Sequence, residues 1–197
     1  SSNYSVEECY VSGEVTARKF EYGKYNCGGL VGWNGGAISR CASSASVNGN
    51  EHTNVGGLVG FNNGSILQSH ATGPVRGDSG VGGLVGGIYS STVTGCYATG
   101  RVDGSEGVGG LVGKSSDTDS FGCTRETGVV SSSYWDKETT AQTSSVGGGV
   151  GKTTAQMRSQ VTYSDWDFEN VWALDASVND GYPYLRAVSA TDTEGEL

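Results

Sequence analysis

The chain has 197 residues, 34 of them glycine and two proline, and a net charge of −9 from 21 acidic and 12 basic residues. The glycines follow no three-residue period, which excludes collagen, and no run of 18 apolar residues exists to form a membrane-spanning helix. The acidic balance argues against nucleic acid or an anionic membrane as partner, because both require a basic face.

The first residues, Ser1-Ser2-Asn3, read as a mature or truncated start without a signal peptide. From there the chain repeats itself. Gly-Gly-Leu-Val-Gly begins at Gly28, Gly56, Gly82 and Gly109, and a degenerate Gly-Gly-Gly-Val-Gly begins at Gly147. The copies start 28, 26, 27 and 38 residues apart. A fixed period in this range marks a solenoid or repeat array, and it outranks local signals. The repeat-defining residues are Gly28, Gly29, Leu30, Val31 and Gly32; Gly56, Gly57, Leu58, Val59 and Gly60; Gly82, Gly83, Leu84, Val85 and Gly86; and Gly109, Gly110, Leu111, Val112 and Gly113. The pentapeptide is too short and too glycine-rich for a helix, so it reads as a short buried strand bounded by bends.

A second element accompanies each copy: 6–15, 38–47, 66–75 and 93–102, with a divergent version at 130–136. Apolar and polar residues alternate within it, which is a strand pattern. One parity carries Cys9, Cys41, Ser69, Cys96 and Ser133 and reads as buried. The other carries Tyr10, Ala42, His70, Tyr97 and Tyr134 and reads as solvated. If the repeats stack in register, this second set forms a partly aromatic stripe, a candidate binding or assembly face at Tyr10, His70, Tyr97 and Tyr134. The alternative is cross-rung stacking that only stabilises the sheet.

The expected fold is therefore all-β. It is a β-solenoid, preferably a parallel β-helix, of about five rungs of ~27 residues, each with two strands, a corner and a variable loop. An antiparallel arrangement of hairpins has the same periodicity. The loops 19–26, 48–54, 76–80 and 103–107 vary, and variable loops on one face are where repeat proteins place recognition. Residues 1–151 make the solenoid. Residues 152–188 are non-repetitive and aromatic, with Trp166, Phe168, Trp172, Tyr182 and Tyr184, and read as a cap over an open end. Within them, 153–160 fits a short helix with Thr153 as N-cap. Residues 189–197 are a loose acidic tail. The N-terminal rung has no matching cap, so its open edge invites strand addition or head-to-tail stacking.

Chemical motifs are sparse. Gly149-Val150-Gly151-Lys152-Thr153 lacks the leading glycine of a phosphate loop, whose place Val146 occupies. Arg76-Gly77-Asp78-Ser79 falls in a turn whose counterparts are also polar and glycine-containing. His52 and His70 lie in different repeats, and no Ser-His-Asp or Cys-His spacing is present. Asp136, Asp165, Asp167 and Asp180 fit capping and loop roles better than a catalytic carboxylate pair. Asp117 and Asp119 form a minimal pair of oxygen donors for calcium, and no other cofactor is expected. Cys9, Cys27, Cys41, Cys96 and Cys123 lack Cys-x-x-Cys spacing, which favours packing or disulfides over metal binding. Asn3 and Asn63 open glycosylation sequons.

The Gly-Gly-Leu-Val-Gly copies with strands ending Cys96-Tyr97-Ala98-Thr99-Gly100 or its variants resemble the GLUG motif. Tyr134-Trp135-Asp136, Thr153 to Met157, Trp166-Asp167-Phe168 and Gly181 to Leu185 resemble the segment that closes such arrays. The resemblance implies a β-rich repeat protein, exported to the cell surface or extracellular medium, among adhesins and immunoglobulin-cleaving peptidases. The His-Glu-x-x-His zinc helix of those peptidases is absent here. The expected function is a non-enzymatic surface or adhesion module. Its expected partners are a surface glycan or protein, or copies of itself assembled into a filament or sheath. A carbohydrate-active enzyme is the third reading.

Overall fold

A computed structural model describes residues 4–18, 25–115 and 127–188. Every strand of the repeat region pairs in parallel with its equivalent one repeat away. The parallel solenoid is thus the arrangement found, and the antiparallel alternative falls.

Each rung contains more strands than the two expected. Rung two runs through Ala37–Ser39, Ala42–Ser43, Ser46–Asn48, Thr53–Gly56 and Val59–Asn62. Rungs one, three and four repeat this order, starting at Ser5, Ser65 and Thr92. The ten-residue alternating segment is broken because one residue per rung adopts a left-handed conformation. These are Glu8, Arg40, Gln68, Gly95 and Ser132, with φ of 53°, 52°, 48°, 65° and 43°. Such a residue turns the chain and restarts the alternation. Val6 and Cys9 both point inward, three positions apart.

The glycine motif is the reverse of its sequence reading: a bend bounded by strands. Gly56 ends one strand, Gly57-Leu58 make the bend, and Val59 opens the next. Both glycines are required by close approach. A Cβ on Gly56 would collide with the Val59 carbonyl oxygen. One on Gly57 would collide with the Gly83 carbonyl of the next rung and lie 2.9 Å from the Ala71 Cβ. The same encounter recurs at Gly29 with Ser43, at Gly83 with Ala98 and at Gly110 with Trp135. The interior is narrow because backbone, not side chain, lines this side.

Leu58, Leu84 and Leu111 stack inside with Ile38, Ile66 and Val93, all buried; Val47, Val75 and Val102 form a second stack with Val55 and Val81. The cysteine column is internal, as expected, and it has a specific task. The carbonyl just before each left-handed residue accepts a backbone N–H from the preceding rung: Ser39 O from Glu8, Leu67 O from Arg40, Thr94 O from Gln68 and Ser131 O from Gly95. The column side chain adds a second bond to it: Cys41 Sγ donates to Ser39 O (3.2 Å), Ser69 Oγ to Leu67 O (2.8 Å), Cys96 Sγ to Thr94 O (3.2 Å) and Ser133 Oγ to Ser131 O (2.7 Å). The backbone N–H groups of Cys41 and Cys96 donate in turn to Ser69 Oγ and Ser133 Oγ of the following rung. Cys9, Cys27, Cys41 and Cys96 are free thiols; Cys123 lies outside the described residues.

The stack has four complete rungs and a partial fifth. The fifth glycine copy does not join the other four corners. It forms the strand Gly148–Lys152, which pairs with Val129–Asp136. Trp135, in the column occupied by Ala71 and Ala98 in earlier rungs, seats its ring against Gly110 and Gly151 and plugs this end. The end plug is therefore Trp135 and not the aromatic block. That block, 153–188, packs along the flank of the rungs. It includes the helix Thr154–Met157, N-capped by Thr153 as its sequence predicted but shorter than 153–160, and a Thr153–Gln156 capping box closes its first turn.

Candidate ligand-binding surfaces

The stripe of Tyr10, Ala42, His70, Tyr97 and Tyr134 exists in register, since these residues pair rung to rung. Its solvated character is corrected. His70, Tyr97 and Tyr134 are buried, Ala42 is buried, and Tyr10 alone is exposed, at 38 %. The cause is the chain's own C-terminal block, whose Tyr163, Trp166, Trp172 and Tyr182 cover the lower rungs. His70 stacks on Tyr97 with centroids 4.8 Å apart and planes 4° apart, and Trp172 leans on both rings. Tyr97 Oη donates to the Pro183 carbonyl (2.5 Å) and accepts from Asn179 Nδ2 (2.7 Å). Burial lowers the His70 pKa to about 3, so the ring is neutral at ordinary pH, and its Nδ1 is buried without a partner.

The carboxylates near this block are structural. Asp136 caps the helix Lys137–Thr140 through the Glu138 and Thr139 N–H groups and accepts from Tyr182 Oη at 2.7 Å. Asp167 accepts from the Glu169 and Asn170 N–H groups, and these bonds hold its carboxyl below the usual range. Asp165 accepts from Ser132 Oγ, and Asp180 sits in a left-handed turn.

At the corner after the third strand of each rung, the loops of successive rungs build a polar groove of about 770 Å³. Thr16, Asn48 and Arg76 present their side chains in one outward column, one per rung, and Asp103 continues it. Arg18, Asn50 and Asp78 line the same groove. The Arg76-Gly77-Asp78-Ser79 segment is part of this wall. Arg76 sits in a strand between Asn48 and Asp103, so the tetrapeptide is not a projecting loop tip. His52 is buried beside the groove, where Nδ1 accepts from the Tyr25 N–H and Nε2 lies 2.8 Å from the Arg18 carbonyl. Sequence reasoning marked the loops as variable but could not assign the groove, because its members are brought together only by stacking.

Asp117 and Asp119 lie outside the described residues, and among the described residues no cluster of histidine, cysteine or carboxylate could hold a metal. No helix among them is long and apolar enough to cross a membrane.

The fold and these surfaces define a parallel β-solenoid repeat protein with a flank-packed aromatic segment. The GLUG motif matches two adjacent stretches, residues 51–75 and 77–103, which are rungs two to four in part. Among solved structures, the chain is similar to a Bacteroides ovatus protein described as a "putative immunoglobulin A1 protease", with TM-score 0.64 and 21 % identity. The match covers 94 % of this chain and 58 % of that one, and it supports the fold alone. No curated protein matches the chain.

Proposed function

We propose that this chain is a non-enzymatic module of an exported surface or adhesion protein and that its loop-corner groove receives the ligand, a surface glycan or a protein. The observation that carries the reading is the groove itself. It spans several rungs, and its column of Thr16, Asn48, Arg76 and Asp103 sits on a hydrogen-bonded ladder that fixes the spacing. Preorganised polar groups lose little entropy on binding. Arg76 adds a planar donor suited to carboxylates and vicinal hydroxyls. Asp136 and Asp167 are engaged in capping and turn bonds, which leaves them poorly placed for hydrolysis.

The test is retention of the purified chain on immobilised polysaccharides and host surface proteins, beside an Arg76→Glu variant. Selective retention that the variant loses supports the groove. Equal retention of both, or release of reducing or unsaturated sugar ends, contradicts it.

A second reading is self-assembly through rung one. Its interior residues Val6, Cys9, Leu30 and Val31 are only partly buried, while their counterparts in later rungs are fully enclosed. Tyr4, Tyr10, Tyr25 and Trp33 are exposed around it. Concentration-dependent dimers in analytical ultracentrifugation, lost on Val6→Lys, support this reading. A monomer at every concentration removes it.

A further inference from the structure

The aromatic column has one member without a ring, Ala42. Above it lies Tyr10 and below it His70. The C-terminal block does not fill the gap. A cavity of about 80 Å³ remains, lined by Tyr10, Ala42, Ser44, His70, Leu185 and Val188. Since a water occupies roughly 30 Å³ of liquid, the space takes two or three waters, or a group of about four heavy atoms. Tyr10 is the exposed member, so entry is from its side.

The lining has two characters. Ala42, Leu185 and Val188 offer an apolar floor. Ser44 and Thr72 bring hydroxyls, and Tyr10 Oη already pairs with Ser44 Oγ at 2.7 Å. His70 lines the cavity too, and its Nδ1 is buried with no hydrogen-bond partner. An orphaned buried polar atom calls for a ligand group or an ordered water.

We propose that this cavity is a binding pocket for an acetamido group, carried by an N-acetylated sugar or an N-acetylated amine. Its methyl lies on Ala42 and Leu185. Its amide meets His70 and the Ser44 hydroxyl. With a sugar, the pyranose rests on the exposed face of Tyr10. Four heavy atoms match the cavity, and a methyl beside an amide matches its divided lining. The pocket is on the flank, separate from the loop-corner groove.

The test is a titration of the full chain, followed by backbone amide NMR shifts, with N-acetylglucosamine, glucose and Nε-acetyl-lysine methylamide. N-acetylglucosamine should move the signals of Ser44, His70 and Leu185, and glucose should not. If acetyl-lysine binds tighter than the sugar, the pocket belongs to an acetylated amine; the reverse assigns it to a glycan. Ala42→Leu fills the cavity and should weaken binding at least tenfold. Tyr10→Ser removes one exposed wall of the pocket and the partner of Ser44, and should weaken the sugar more than acetyl-lysine. Equal binding of glucose, no shifts at millimolar ligand, or wild-type affinity in Ala42→Leu would overturn the proposal. Loss of binding in Arg76→Glu with retention in Ala42→Leu would do so while leaving the groove reading intact.

Discussion

His70 and Tyr97 stack face to face with centroids 4.8 Å apart, the same distance that separates neighbouring strands in a sheet. The rung spacing sets the ring spacing. Trp172 then closes on both rings, at 5.8 and 5.9 Å. A regular ladder has thus become the seat for an irregular segment, which determines which surfaces remain open.

The seat is fastened by one hydroxyl. Tyr97→Phe removes the bond to the Pro183 carbonyl and the bond from Asn179, which keeps its second bond to Pro183 O at 2.9 Å. The expected loss is about 1–2 kcal/mol. Trp172→Ala removes a fully buried ring and should cost about 3–5 kcal/mol. Chemical denaturation of both variants checks the order.

His70 makes stability pH-dependent. In the fold its pKa is lowered to about 3 by burial, against an ordinary value of 6.5. Between these values the unfolded chain binds the proton and the folded chain does not. Stability therefore rises with pH from about 3 to 6.5 and is lost as pH falls through that window, by at most roughly 1.4 kcal/mol per pH unit. Carboxylates titrate in the same range, so the measurement is a difference. A His70→Phe variant should lose less stability than wild type between pH 6.5 and 4. Parallel curves would contradict the burial.

The glycine bends rest on close approach and not on flexibility. Gly57→Ala drives a Cβ into the Gly83 carbonyl, which the rung ladder holds in place, and should cost about 2 kcal/mol or more. Gly107→Ala has room, with its nearest atom at 3.5 Å, and meets only the strain of φ +58°, about 1 kcal/mol. Thermal melts of the two variants should separate accordingly.

Cys96 is a hydrogen-bonding element and not a reactive thiol. Burial pushes its pKa up to about 12. Native protein should leave it unmodified by iodoacetamide at pH 8, and denatured protein should expose it. Cys96→Ser keeps the donor to the Thr94 carbonyl and should cost less than about 1 kcal/mol, because serine fills this column at Ser69 and Ser133. Cys96→Val removes the thiol donor but leaves the Thr94 carbonyl its bond from the Gln68 N–H, and should cost about 0.5–1.5 kcal/mol.

The repeat period made the solenoid legible, and Cys41, Ser69 and Cys96 revealed which parity is buried. The strand count was hidden because Arg40 and Gln68 carry ordinary side chains in a left-handed conformation, with nothing local to mark the turn. The fate of Tyr97 was hidden for another reason. Its alternation with Cys96 correctly places it outside the rungs, but outside is not solvated when Trp166 and Trp172, some 70 residues later, fold back over it. The groove at Asn48 and Arg76 and the gap at Ala42 depend on neighbours one rung away, so neither has a signal along the chain.

The C-terminal block sits over the aromatic column, and that burial leaves the loop corner and the Ala42 gap open. The direct measurement is a nuclear Overhauser spectrum of the native chain. Cross-peaks from the Tyr97 ring to the indoles of Trp166 and Trp172 are predicted, at centroid separations of 6.2 and 5.9 Å. A Tyr97 ring that shows no indole contact and exchanges freely with solvent probes would contradict it and return the column to the surface.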